Sequence, residues 1–181
     1  MKQVDARQLV VVDECGSHIG LTSLYGWAPR GERAHASIPR NRGKNTTLMA
    51  SLSLSGIGAA MIIEGSTNAS AFEVYVEQIL APRLEPGQLV VLDNLSAHKS
   101  QRVQALIEAR GCHLLFLPSY SPDLSPIEEA FSKLKAFLRR VGARTREELL
   151  EALSQALEMI TPQDALGYFT HCGYFPIDQQ T

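Results

Sequence analysis

Gln88-Leu89-Val90-Val91-Leu92-Asp93-Asn94 repeats a pattern set at Gln8-Leu9-Val10-Val11-Val12-Asp13-Glu14: a Val-rich apolar run that ends on an acid. A short β-branched run without polar alternation suits a strand covered on both faces, as in a sheet with helices on each side. Around these two runs the periodicity changes. Thr46 to Leu54 alternates Leu48, Ala50, Leu52 and Leu54 with polar or small partners, and Ala59 to Glu64 returns after a Ser55–Gly58 turn, so a hairpin is expected. Helical spacing appears over Ser70–Leu80, Lys99–Arg110 and Glu147–Ile160, with a further strand at Cys112–Leu117 and a short last helix over Pro162–Phe169. Ile127, Phe131, Leu134, Leu138 and Val141 form the apolar stripe of another helix, which follows a Pro/Ser loop. Leu21–Arg42 reads as extended pieces joined by turns at Gly26, Pro29, Gly31 and Pro39. A hairpin followed by alternating strands and helices implies an α/β fold, a mixed sheet flanked by helices.

The 181 residues, 45% of them hydrophobic, suffice for one domain with a full core, and the scattered Gly and Pro exclude collagen-like or low-complexity chains. Met1–Arg7 shows neither an h-region nor a cleavage site, and the apolar Thr46–Ile63 segment is broken by Ser and Gly. A cytoplasmic protein without membrane association is therefore expected. Cys15, Cys112 and Cys172 form no CxxC pair and read as reduced thiols. A net charge of −2 conceals two basic clusters. Arg30, Arg33, Arg40, Arg42 and Lys44 stand against Glu32 alone, and Lys133, Lys135, Arg139, Arg140, Arg144 and Arg146 stand against no acid. Such clusters are either solvated faces or phosphate contacts, with Arg30, Arg40, Arg42, Lys44, Lys135, Arg139 and Arg140, and Lys99 outside them, the candidates to touch phosphate.

Ligands gather at the carboxyl ends of strands in open sheets. If the two Val-rich strands are neighbours, Asp13 and Asp93 share one crevice, and two carboxylates so placed call for a cation between them. Their hard oxygens suit magnesium or manganese better than zinc. Taken singly, each Asp is as readily a strand terminator that opens a turn. Ser125, Pro126 and Glu128 fall at N-cap, N1 and N3 of the stripe helix, so a capping box is one reading of Glu128. The other places Glu128 toward a cleft, on a face shared with Ser132, Lys135 and Arg139. His98 has two readings as well, a structural histidine at a helix start or a group that touches phosphate, and Trp27 either packs or stacks on a base.

Val12-Asp13-Glu14, Leu92-Asp93-Asn94-Leu-Ser-Ala-His98-Lys99 and Pro118-Ser-Tyr-Ser-Pro-Asp-Leu-Ser-Pro-Ile-Glu128 occur in that order, with 34 residues between Asp93 and Glu128. In these motifs and in Tyr25-Gly26-Trp27-Ala-Pro29-Arg-Gly31 the chain resembles the catalytic domain of mariner-superfamily DDE transposases, in their bacterial insertion-sequence branch. The resemblance runs from about Arg7 to about Tyr174. It implies a ribonuclease-H-like fold and a single catalytic domain over 1–181, with C-terminal helices from about residue 146. It carries Asp13, Asp93 and Glu128 over as catalytic, metal-binding residues for Mg2+ or Mn2+, with two ions expected. Glu14, Asn94 and His98 are then expected to support those ligands. Implied partners are transposon-end and target DNA, with a homo-oligomer or a separate DNA-binding module.

Two departures stand out. Family members usually carry Asn where this chain has Ser125, and either residue caps a helix. Full-length relatives carry an N-terminal helix-turn-helix region, whereas here the first strand begins within ten residues of Met1. The expected function is metal-dependent DNA cleavage and strand transfer during transposition of an insertion sequence. Its alternatives are a non-catalytic remnant that regulates by association and a ribonuclease-H-like nuclease.

Overall fold

The structure, a computed structural model, describes residues 4–119 and 121–177. Met1–Gln3, part of the segment read as leader-free, and Tyr120 of the Pro/Ser motif lie outside the described residues. The strands are β1 (Leu9–Ser17), β2 (Thr46–Ser53), β3 (Gly56–Glu64), β4 (Leu89–Leu92) and β5 (His113–Phe116), in one sheet of order β3-β2-β1-β4-β5. β1 pairs antiparallel with β2 and parallel with β4; β2 and β3 form the expected hairpin, and β4 and β5 are parallel. The helices are α1 (Ala69–Tyr75), α2 (Gln101–Glu108), α3 (Pro126–Val141), α4 (Arg146–Glu158) and α5 (Pro162–His171). Among the described residues no helix is long and apolar enough to cross a membrane.

Alternation along β1 divides the core into two layers. Leu9, Val11 and Cys15 join a cluster with Ile127, Phe131, Leu134 and Leu138 of α3 and with residues of α4 and α5, while Val10 and Val12 join Phe72 and Tyr75 of α1 and Val103 and Ile107 of α2. A strand so covered has no polar face to show, which is why its sequence reads as a continuous apolar run. Each large side chain fully buried here contributes about 1.5–3 kcal/mol relative to exposure.

The structure corrects several sequence expectations. β1 does not end at Asp13 but continues to Ser17, because its antiparallel ladder with β2 runs on, Asp13 opposite Ala50 and Ser17 opposite Thr46, after the parallel ladder with β4 has stopped. The helix expected over Ser70–Leu80 is α-helical only to Tyr75 and passes through a π turn over Val76–Leu80 ahead of Pro82, whose missing N–H cannot continue the α pattern. Val141, placed on the apolar stripe of α3, is exposed at the last turn of that helix, which closes in a left-handed cap at Gly142. The segment between β1 and β2 contains no strand and forms a long, mostly exposed loop. Its base is fixed by Arg144, whose Nη1 donates to the carbonyls of Ile19 (3.1 Å) and Leu21 (3.0 Å), and by the ion pair between Lys44 and Glu64 (2.5 Å).

Two contacts tie the C-terminal helices to the sheet and to α3 and give tests of the fold. Gly56, in the β2–β3 turn, has φ +100°, and a Cβ there would lie 2.9 Å from the carbonyl oxygen of Ile160. Gly56→Ala therefore combines left-handed strain with a backbone clash and is expected to cost more than ~1 kcal/mol in urea unfolding; an unchanged midpoint would contradict this packing. Asp164 completes a capping box with Thr161 and accepts from Nζ of Lys133 on α3 at 2.8 Å. The Lys133 ammonium, then the Thr161 donors, hold its carboxyl down to about 2. A depressed folded pKa adds stability above the unfolded value, which is lost as pH falls through the folded one. Asp164→Ala is expected to be destabilised at neutral pH, and the gap from wild type should narrow as pH falls from ~4 through ~2; a gap undiminished at pH ~2 would refute the role.

Candidate active site

The register of the parallel pair places the first two acids. Val11 stands opposite Val91, so two residues further Asp13 comes level with Asp93. There the strands part: β4 ends at Leu92 while β1 runs on, and the gap between them opens a cavity of about 450 Å³. Asp13, Glu14, Asp93, Asn94, Ser125 and Glu128 all line it. Asp13 and Val11 share a side of β1, the side packed by α3, and Glu128 stands in the first turn of that helix. The neighbouring strands and the third carboxylate expected from sequence are thus brought to one place.

Hydrogen bonds fix the acids from behind. Asp13 Oδ1 accepts from the Glu14 N–H at 2.7 Å. Asp93 Oδ1 accepts from the Leu95 N–H at 3.1 Å and from Nδ1 of His98 at 2.5 Å. His98 is fully buried, faces Glu14 Oε1 with Nε2 at 3.1 Å, and stacks on Phe72 with ring centroids 4.1 Å apart. Asn94 Nδ2 donates to Ser119 Oγ at 2.9 Å and so joins the loops after β4 and β5.

Burial, followed by the charges of Glu128, Glu14 and Asp93 against the opposing Glu14 N–H, pushes the Asp13 carboxyl up to about 7. Burial alone would lower the pKa of His98, but the Glu14 and Asp93 carboxylates outweigh it and raise the imidazole above its ordinary value. On the next inward position of β1, burial pushes the Cys15 thiol up to about 11, opposed by the Lys135 ammonium of α3.

The capping box expected at Ser125 is not formed. Ser125 is the N-cap and Pro126 follows at N1, but the Ser125 hydroxyl makes no capping bond, and the Glu128 N–H donates instead to the Ser125 carbonyl at 3.1 Å. With its backbone satisfied in this tighter turn, Glu128 has no partner role at the helix start, and its exposed side chain lines the cavity. The loop ahead of it is braced by Tyr174, whose hydroxyl donates to the Leu124 carbonyl at 2.9 Å. Glu129 turns away and pairs with His171 at 2.5 Å, a contact between α3 and α5 that sequence spacing did not suggest.

The basic candidates are spread more widely. Arg30, Arg40 and Arg42 are exposed in the β1–β2 loop, and Lys99 is exposed just after His98. Lys44 pairs with Glu64 at the loop base while most of its side chain stays exposed. Lys135 acts on Cys15 of β1, whereas Arg139 and Arg140 stand eleven and twelve residues from Glu128, roughly 16–18 Å along α3. The Arg140 guanidinium lies 5.4 Å from the Phe137 ring centroid. Trp27 packs against nothing: it is fully exposed, as is most of Tyr25, so the packing reading of this lone Trp is set aside.

The donor set fits a hard divalent cation. Four carboxylates surround one cavity, and burial, with the neighbouring carboxylate charges added to it, raises the Asp13 carboxyl to about 7. Among the described residues no three of His, Cys, Asp and Glu converge closely enough to cage an ion, so the acids form the walls of the cavity rather than a closed site.

A sequence profile described as DDE superfamily endonuclease matches residues 8–150. No curated protein matches the chain by sequence. Among solved structures, the Mos1 strand transfer complex aligns with a TM-score of 0.69 and 20% identity over 93% of this chain and 51% of that one. The mariner Mos1 paired end complex with Mg gives 0.70 and 18% over 93% and 54%, and the catalytic domain of Mos1 mariner transposase gives 0.62 and 17% over 93% and 76%. The chain thus spans about half the length of the Mos1 chains in those complexes, and the likeness establishes a ribonuclease-H-like fold. With the profile covering most of its length, from β1 into α4, the chain belongs to the DDE superfamily endonucleases.

Proposed function

We propose that this chain is the catalytic domain of a transposase of the mariner superfamily, in its bacterial insertion-sequence branch, and that it cleaves DNA and transfers the cut strand. Asp13, Asp93 and Glu128 are its catalytic residues and hold Mg2+ or Mn2+, with two ions as the expected complement. The observation that carries the reading is the level placement of Asp13 and Asp93 on adjacent parallel strands, with Glu128 across the same cavity. The described sheet and its helices, including those from Arg146 onward, make up the domain.

Divalent ions bound there supply charge stabilisation to the attacking and leaving oxygens of a phosphodiester. The chain's own task is to hold three carboxylates on rigid elements, two on the sheet and one on a helix start, so that their oxygens face the same volume. Among the described residues no Ser, His and Asp are arranged for covalent catalysis at the cavity, and the proposed chemistry needs no protein nucleophile. Arg30, Arg40, Arg42, Lys99 and Lys135, and further out Arg139 and Arg140, contact DNA phosphates, with Trp27 free to stack on a base. The Mos1 structures that the chain resembles include strand transfer and paired-end complexes, which supports transposon ends as substrate and pairing of two copies, or of this chain with a DNA-binding module.

In Mn2+, the purified chain is expected to nick supercoiled plasmid. Asp13→Asn, Asp93→Asn and Glu128→Gln should each lose more than ~100-fold of that activity, beyond the 10–100-fold typical of supporting residues, while remaining at least as stable as wild type in EDTA. Nicking retained by Asp93→Asn would end the assignment. Joining of a 3′-hydroxyl end to target DNA separates strand transfer from hydrolysis alone. For DNA binding, Arg40→Ala is expected to reduce the salt dependence of log K by about 0.9 for the phosphate contact removed; an unaltered slope would take Arg40 out of the interface.

A further inference from the structure

His98 is the only histidine among the described residues that is fully buried, and it sits between two of the acids that line the cavity. Its surroundings come from three parts of the chain: Glu14 on β1, Asp93 after β4, and Phe72 on α1, against which the ring is stacked. Nδ1 and the Leu95 N–H both donate to Oδ1 of Asp93, while Oδ2 takes no hydrogen bond among the described residues. Nε2 meets Oε1 of Glu14 at 3.1 Å. One imidazole therefore holds both carboxylates, and it holds them from the buried side.

We propose that His98 is a positioning residue that divides the work among the four acids: it orients Asp93 with Oδ2 toward the cavity and ties Glu14 back, so that Asp13, Asp93 and Glu128, and not Glu14, hold the ion. This rests on the metal site proposed above. The need for such a device follows from the crowding of like charges. Glu14 follows Asp13 on β1 and, although strand alternation starts it on the opposite face, lines the same cavity, so its tie to His98 holds back a potential competing donor. Orientation of a ligating carboxylate by a hydrogen bond to its other oxygen is worth about 10–100-fold in metal affinity or activity. Phe72 fixes the plane of the ring, so neither nitrogen can swing away without breaking the stack.

The test is a double-mutant cycle read by Mn2+ binding calorimetry on the full chain, with Glu14→Gln, His98→Gln and their combination. With Glu14 released by His98→Gln, the loss of Mn2+ affinity caused by Glu14→Gln should be about tenfold larger than in the wild-type background. A merely structural His98 gives equal, additive losses, and that result overturns the proposal. Asp93→Asn serves as the control for the site: if it binds Mn2+ as wild type does, the metal site itself is wrong, whereas lost binding with additive Glu14 and His98 effects refutes only the role of His98. If His98→Gln does not fold, the wild-type chain gives the answer by NMR. The ring proton on Nδ1 of His98 should persist when Mg2+ saturates the site; its disappearance would show that the tie to Asp93 is broken by the ion and would overturn the proposal.

Discussion

Four carboxylates facing one cavity, at the point where two parallel strands separate, is the constraint around which the site is arranged. Buried carboxylates resist ionisation, and like charges beside them add to that resistance; both push the Asp13 carboxyl up to about 7, burial the more. The fold sustains the cluster by supporting each acid separately. Backbone N–H groups reach Asp13 and Asp93, a buried imidazole is shared by Asp93 and Glu14, and Glu128 stands on a helix whose opposite side is anchored in the core by Ile127, Phe131, Leu134 and Leu138. A divalent cation is the one addition that would relieve the remaining repulsion.

Precision in such a site comes from the elements behind it. Asp13 is in a strand paired to β2 through its own position and to β4 until two residues before it, and Asp93 is one residue beyond the strand beside it. Glu128 depends on a less regular support, the Pro122–Leu124 turn ahead of α3. That turn is held from the far end of the chain by Tyr174, while His171 holds Glu129 of the same helix turn. The C-terminal helices therefore steady the third acid as well as completing one layer of the core.

Much of this was legible in the sequence because it is local or periodic. The Val-rich runs identified the two central strands and the i, i+4, i+7 stripe identified α3, whereas the link between Asp93 and Glu128 came from the resemblance to a known family. What escaped depends on pairing partners that lie far apart in the chain. The continuation of β1 past Asp13 is set by its ladder with β2, more than thirty residues away, and an acid in mid-strand looks in sequence like a strand end. The unformed capping box at Ser125 reflects a backbone bond that satisfies the Glu128 N–H first, a choice that composition does not reveal. The tie between His98 and Glu14 spans 84 residues and leaves no spacing signal. Trp27 had no periodic context at all, and its full exposure emerges only from the loop that carries it.

The central claim is that this acidic cavity is a divalent-metal site on a nuclease fold. A crystal of the full chain soaked in Mn2+ and measured for anomalous scattering tests it most directly. The account predicts at least one strong peak ligated by Asp13, Asp93 and Glu128, with His98 still bonded to Asp93 and Glu14. A saturated crystal with no peak in that cavity, or with Mn2+ held by Glu14 in place of Glu128, would contradict it.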